Sequence, residues 1–234
     1  MIYLGIMATV LGTGIGGIIG TFIGKKKNIG KVLAFAGGIM ISIVAFEIIP
    51  EALSLSNLPL VIIFLILGLI LVEIVERGMN YFEKNQPLSI KRTGIILLIV
   101  IGLHNFPEGL AIGASGAANE KIGLILGLLV ALHDISEGMA IAVPLLASGT
   151  SKFKVILYTF LSGATTILGA LCGLFLGNLS SISMSIALAI AGGAMLYVVY
   201  LEIIPEALQY EKPKWIANFV ILGIIIGLII INFS

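Results

Sequence analysis

The chain has 234 residues, 59% of them hydrophobic and 11% charged, with a mean hydropathy of +1.19; soluble domains carry about a quarter of their residues as charges, so the composition excludes a soluble globular domain and points to an integral membrane protein. A net charge of +1 says nothing about partners; no basic cluster resembles a nucleic-acid face, the positive charges sitting in short loops between apolar runs, so no nucleic-acid partner is expected. The single cysteine, Cys172, excludes an internal disulfide framework and a cysteine-clustered metal site.

A hydrocarbon core about 30 Å thick takes about 20 helical residues to cross. Apolar runs of that length occur eight times, near 2–24, 31–53, 58–80, 93–116, 121–146, 153–177, 183–209 and 215–233, and predict an all-α membrane protein. The connections are short, so one transmembrane domain over 1–234 with no soluble appendage is expected. The first run lacks a positive segment before it and has KKK at 25–27 after it, which fits a retained helix better than a cleaved signal peptide. Alternate connections divide the positive residues unequally. Lys25, Lys26, Lys27, Lys31, Arg77, Lys84, Lys91, Arg92, Lys152, Lys154, Lys212 and Lys214 fall on one side and Lys121 alone on the other. Cytoplasmic loops hold the excess of Lys and Arg, so both termini are expected outside.

Internal repeats follow. GGIMISIVAFEIIPEAL at 37–53 matches GGAMLYVVYLEIIPEAL at 192–208 at 11 of 17 positions, an offset of 155. FLILGLI at 64–70 matches FVILGII at 219–225 at the same offset, and GGIIGTFIG at 16–24 echoes GALCGLFLG at 169–177 at 153. Runs one to three thus repeat as six to eight. LHNFPEGLAIG at 103–113 on run four repeats as LHDISEGMAIA at 132–142 on run five. A shift of five runs, or of one, is odd, so each copy crosses the membrane in the opposite direction. The reading is a 3+2+3 inverted repeat, an arrangement typical of secondary transporters, whose sites lie near the midplane at the repeat interface.

The last pair of phrases holds both histidines of the chain, His104 and His133, each about halfway along its run. Glu108 and Glu137 follow them by four residues, on the same helical face. Asn105 and Asp134 adjoin from a slightly rotated direction. A carboxylate at the bilayer centre costs roughly 2.5–3.5 kcal/mol on insertion scales, and Glu108, Asp134 and Glu137 bring three with no Lys or Arg at that depth in the sequence. A divalent cation held by two imidazoles and two carboxylates would make a charge-neutral site with donors suited to zinc and similar metals. Pro107 removes a backbone hydrogen bond to the Leu103 carbonyl and predicts a distorted helix beside the site. Two other readings stand beside this one. Polar groups of this kind also hydrogen-bond helices together, and His with Glu also holds catalytic zinc, as in an intramembrane metal-dependent hydrolase. The HExxH spacing is absent, however, and no nucleophile is evident.

These residues resemble the ZIP (Zrt/Irt-like protein) family of divalent metal transporters, in its bacterial branch. HNFPEG at 104–109 is similar to the family's signature and HDISEG at 133–138 to its partner. The resemblance implies zinc, with iron, manganese or cadmium beside it, as transported substrate, and no organic cofactor. It implies a multi-pass protein of the plasma (inner) membrane whose partners are metal ions and the lipid bilayer, with a homodimer as the assembly to test. It further implies a two-metal centre: His104, Glu108, His133 and Glu137 on one ion; Asn105, Asp134 and the same glutamates on the other. Two departures stand out. Bacterial members often read SGxVEPxGA on the sixth run, whereas SGATTILGA here puts Thr166 at the glutamate position, and YFEKNQPLSIKR between runs three and four has no histidine. Glu47 and Glu51 at the outer end of run two, their copies Glu202 and Glu206 at the inner end of run seven, and Glu73 and Glu76 on run three read either as stations of a metal pathway or as solvated helix ends beside Pro50 and Pro205. The stripes Gly12, Gly16, Gly20, Gly24 and Gly169, Gly173, Gly177 predict close helix packing, with a sliding surface as the other reading.

Overall fold

A computed structural model describes residues 1–23, 28–82, 90–176 and 180–232, and of 79–82, 118 and 176 the backbone alone. Lys25, Lys26, Lys27, Lys84, Gly24 and Gly177 lie outside the described residues or their neighbourhoods. Among the described residues eight helices are long and apolar enough to cross a membrane, making this a multi-pass membrane protein: α1 (Ile2–Ile23), α2 (Ile29–Leu55), α3 (Leu58–Gly78), α4 (Ile90–Ala117), α5 (Glu120–Ala147), α6 (Lys152–Phe175), α7 (Ser181–Tyr210) and α8 (Pro213–Asn232). Their starts carry local chemistry. The Asn119 side chain accepts from the Lys121 N–H ahead of α5, Ser180 accepts from the Ser183 N–H ahead of α7, and α8 begins at a proline.

Two helices widen where a proline demands it. In α2 the turn Val44–Ile48 is π-helical, and the Ile49 N–H reaches back to the Val44 carbonyl; in α7 the turn Val198–Ile203 is π-helical, and the Ile204 N–H reaches back to Val199. Pro50 and Pro205 come next in each chain direction, with no N–H to give and a ring that crowds the preceding turn. Glu47 and Glu202 lie on these widened turns.

α4 stays α-helical through Pro107. Hydroxyls of α6 bond its backbone in the preceding turns: Thr165 donates to the Gly102 carbonyl at 2.6 Å and Ser162 to Leu98 at 3.2 Å. An interruption falls on α6, at Ala164, where Thr165 also donates back to the Ser162 carbonyl at 2.7 Å and competes with the helical ladder.

Packing runs in pairs. The most extensive contacts are α1 with α5, α4 with α6 and α2 with α8; α2 with α7, α4 with α5 and α3 with α7 follow. Glycines let these backbones touch. A Cβ on Gly38 would collide with the Val220 carbonyl oxygen and one on Gly193 with that of Leu65; Gly223 abuts the Phe35 carbonyl and Gly68 that of Ile190. On the other pairs, Gly16 abuts the Ile135 carbonyl and Gly169 that of Phe106, while Gly138 meets Thr13 and Gly109 meets Thr166. Lipid is as apolar as a leucine side chain, so close van der Waals contact between backbones, more than water exclusion, holds such helices together. α4 and α5 lie side by side within this frame and carry the site.

One loop residue was misplaced by the sequence reading. Arg92, counted among the loop cations, belongs to α4 and is 4% exposed, because carboxylates on α3 and α7 receive its guanidinium.

Candidate metal centre

His104, Asn105 and Glu108 on α4 and His133, Asp134 and Glu137 on α5 are all buried, as the four-residue spacing on two adjacent helices requires. The imidazoles approach one carboxylate from opposite helices. His104 Nε2 lies 2.9 Å from Glu108 Oε1, and His133 Nε2 lies 3.1 Å from the same oxygen. Further out, His104 Nε2 is 3.8 Å from Glu137 Oε1 and His133 Nε2 is 4.0 Å from Asp134 Oδ1. The ligand atoms form two triads, His104 with Glu108 and Glu137, and Glu108 with His133 and Asp134, each within 4.8 Å mutual distance. Glu108 is common to both, and it is the structure that marks this residue as the hinge of the site.

Much of the donor set is unsatisfied. Glu108 Oε2, both oxygens of Asp134, both oxygens of Glu137 and His104 Nδ1 are buried without a hydrogen-bond partner. A buried carboxylate oxygen left bare costs the full desolvation of that group, so such a cluster in one place is built for something it receives. Asn105 donates its Nδ2 to the Ser162 carbonyl on α6 at 3.3 Å, and its Oδ1 has no partner. Thr166 is fully buried with its hydroxyl unpartnered.

From this centre a cavity of about 580 Å³ runs toward the ends of α2 and α4, with Glu108 and His133 at its floor and Glu47, Glu51, Ser54 and Ser115 along its walls. At the opposite end the carboxylates are paired with protein groups. Arg92 Nη2 pairs with Glu76 at 2.7 Å, its Nη1 lies 3.8 Å from Glu202, and the Tyr197 hydroxyl donates to the other oxygen of Glu76. Thr93 donates to Glu206 at 3.2 Å, and so does Gln209 at 3.3 Å. Of the six outlying glutamates, the structure thus gathers Glu76, Glu202 and Glu206 at one end and Glu47 and Glu51 at the other. Glu73 turns aside to pair with Arg77 on the surface. Sequence reasoning missed Arg92, Thr93 and Tyr197; the signal available was that Arg92 and Thr93 directly abut the apolar run of α4, and that Tyr197 stands where the repeat has Ser42.

A family profile described as ZIP Zinc transporter matches residues 82–233. Among similar proteins, a relative named zinc transporter ZupT from Streptococcus mutans serotype c is 34% identical over 248 residues, covering 96% of this chain and 92% of the relative. Relatives of the same name from Chlorobium chlorochromatii, 32% identical with coverage of 96% and 92%, and from Escherichia coli O7:K1, 35% identical with coverage of 95% and 91%, match just as fully. The signature phrases, the eight helices and these end-to-end matches agree: the chain belongs to the ZIP family.

Proposed function

We propose that this protein carries divalent cations, zinc foremost, across the membrane through the centre between α4 and α5. The observation that carries the reading is the set of bare, buried carboxylate oxygens on Glu108, Asp134 and Glu137 facing two imidazoles. A dication supplies the charge they lack, and the mixed nitrogen and oxygen donors suit zinc, with iron, manganese and cadmium as competing substrates. His104, Glu108 and Glu137 hold one ion, and His133, Asp134 and the shared Glu108 the adjacent one, with Asn105 at the edge. The named relatives are zinc transporters, which favours carriage over the hydrolase alternative.

The cavity past Glu47 and Glu51 is the entry and the Glu76, Glu202 and Glu206 end is the exit. With the Lys and Arg excess on the exit side, the entry faces outward, both termini lie outside, and metal moves toward the cytoplasm across the plasma (inner) membrane. The inverted repeat is part of this proposal. It is supported by the packing pairs, which exchange among themselves when α1–α3 are swapped for α6–α8 and α4 for α5, and by glycine contacts that recur at the offset of 155. The 234 residues act as one transporter domain, and pairing into a homodimer is compatible with the apolar faces of α3 and α8.

Reconstitution into proteoliposomes tests the reading. Zinc uptake is expected, reduced by competing iron, manganese or cadmium, and Glu108→Ala is expected to lower it to the protein-free background while the variant still inserts. Near-normal zinc flux in that variant rejects the assignment of the centre.

A further inference from the structure

The two ends of α2 and α7 carry the same sequence, EIIPEAL, at 47–53 and 202–208. Their carboxylates meet different neighbours. At the α7 end Arg92, on α4, reaches Glu76 on α3 and Glu202 on α7, while Tyr197 donates to the other oxygen of Glu76 and Thr93 to Oε2 of Glu206, whose Oε1 is buried without a partner. Three helices are tied by one buried cation. The repeat copies of those partners are all changed: Glu76 corresponds to Ile231, Arg92 to Lys121, Thr93 to Ile122 and Tyr197 to Ser42. Ile231 lines the open cavity at the position where a second latch would close it, and Lys121 is exposed.

From this we infer that Arg92 is a resident counter-ion and latch of the exit: it fills the carboxylate cage of Glu76 and Glu202 while the entry is open, and a divalent substrate arriving from the centre takes its place as the exit opens. The inference rests on the transport reading and adds to it a residue and a device. Electrostatics make the exchange workable. Two carboxylates taken from water need a cation in either state, because a bare buried charge is far costlier than a paired one. A guanidinium gives one positive charge on a planar fork and a dication gives two at a point, so the ion is the stronger partner once it is desolvated. With Arg92 in place one of the two carboxylate charges is balanced without metal, which leaves the cage one charge short and still receptive to a dication. The arrangement also explains why the two ends differ when the helices bearing them are copies.

The experiment reads accessibility of the closed end. Thr93 is 4% exposed, so Thr93→Cys in a Cys172→Ser background is a reporter for a membrane-impermeant maleimide, applied to purified full-length protein in detergent. With Arg92 present and no metal, labelling is expected to be slow. Arg92→Gln is expected to speed it about tenfold or more, the ratio of a population shifted by a lost latch, and Arg92→Lys to stay near the parent. Saturating zinc sulfate is expected to speed labelling in the Arg92 protein and to add nothing in Arg92→Gln. Equal rates in the parent and Arg92→Gln overturn the latch, and a rate indifferent to zinc in the parent overturns the exchange. Should Arg92→Gln fail to purify as a single species, Arg92→Gln with Glu76→Gln removes charge and counter-charge together and is read the same way. Labelling needs no flux, so a parent that carries no zinc in proteoliposomes rejects the transport reading while the labelling still answers for the latch.

Discussion

Glu47 and Glu51 stand in the wall of an open cavity, while Glu202 and Glu206, in the same seven-residue phrase, are sealed among an arginine, a tyrosine and a threonine. The helices that carry them are alike down to the π-helical turn before the proline. What differs is the partner on the neighbouring helix: Glu76, Arg92, Thr93 and Tyr197 at one end stand where the repeat has Ile231, Lys121, Ile122 and Ser42, of which Lys121 is exposed and Ser42 bonds to its own helix. The two phrases are therefore alike in local backbone, and the side chains around them are not. Under the proposed inverted repeat this division is useful, since equivalent frames would make two access states similar in energy and leave a few end residues to decide which one is populated.

The largest effect that separates the two ends is expected from Glu76→Gln. It leaves the buried Arg92 without its closer carboxylate and offers one acceptor oxygen where Arg92 and Tyr197 use two, and removing one member of a buried pair costs about 3 kcal/mol or more, a fall of roughly 6–12 °C in melting temperature for a chain of this size. Glu51→Gln at the open end, exposed and in the cavity wall, is expected to change it by less than about 2 °C. Thermal unfolding of the two variants in detergent checks this, and equal melting would mean that the ion pair at the closed end contributes nothing special.

The frame itself is expected to respond evenly. Gly38→Ala on α2 and Gly193→Ala on α7 drive a methyl group into the carbonyls of Val220 and Leu65. Overpacking of this kind costs about 1–3 kcal/mol, roughly 5 °C of melting temperature. The two losses should match each other within error of the same thermal scan. A loss confined to one variant would place the asymmetry in the backbone and not in the end residues.

Much of this was legible in the sequence because its signals are long. Runs of about 20 apolar residues identify the eight helices, and identities at fixed offsets relate them. The four-residue spacing in HNFPE and HDISE puts His104 with Glu108 and His133 with Glu137 wherever those helices go. Hydropathy is blind to azimuth, so it could not say that α1 lies on α5 or that Arg92 turns inward. An arginine next to Lys91 at the edge of an apolar run reads as an interfacial charge, and only the carboxylates of α3 and α7, remote in sequence, pull it into the protein. The bonds that Ser162 and Thr165 give to the α4 backbone were equally out of reach, because they come from a helix about 60 residues away in sequence.

The smallest effect tests the comparison inside the site. Thr13 on α1 and Thr166 on α6 are repeat copies, and their carbonyls seat Gly138 and Gly109 in the same way. Their hydroxyls part company: Thr13 donates to the Thr9 carbonyl at 3.3 Å, whereas the Thr166 hydroxyl is buried without a partner. Two divalent ions bring four positive charges, and Glu108, Asp134 and Glu137 return three. Repulsion between ions about 4 Å apart is then incompletely offset, and it grows as the effective dielectric falls below about 20. The second ion is therefore expected to bind more weakly than the first. Thr166→Glu supplies the missing charge at a buried position whose hydroxyl has no partner, and it is expected to tighten the second ion about tenfold, near 1.4 kcal/mol. Thr13→Glu, placed against Gly163 and on a hydroxyl already engaged with its own helix, should lower the melting temperature and tighten nothing. Calorimetric titration of the purified proteins with zinc distinguishes these outcomes. Two tight, equivalent ions in the parent, or no gain in Thr166→Glu when its metal-free melting shows a folded protein, would mean that charge at residue 166 does not limit the second site.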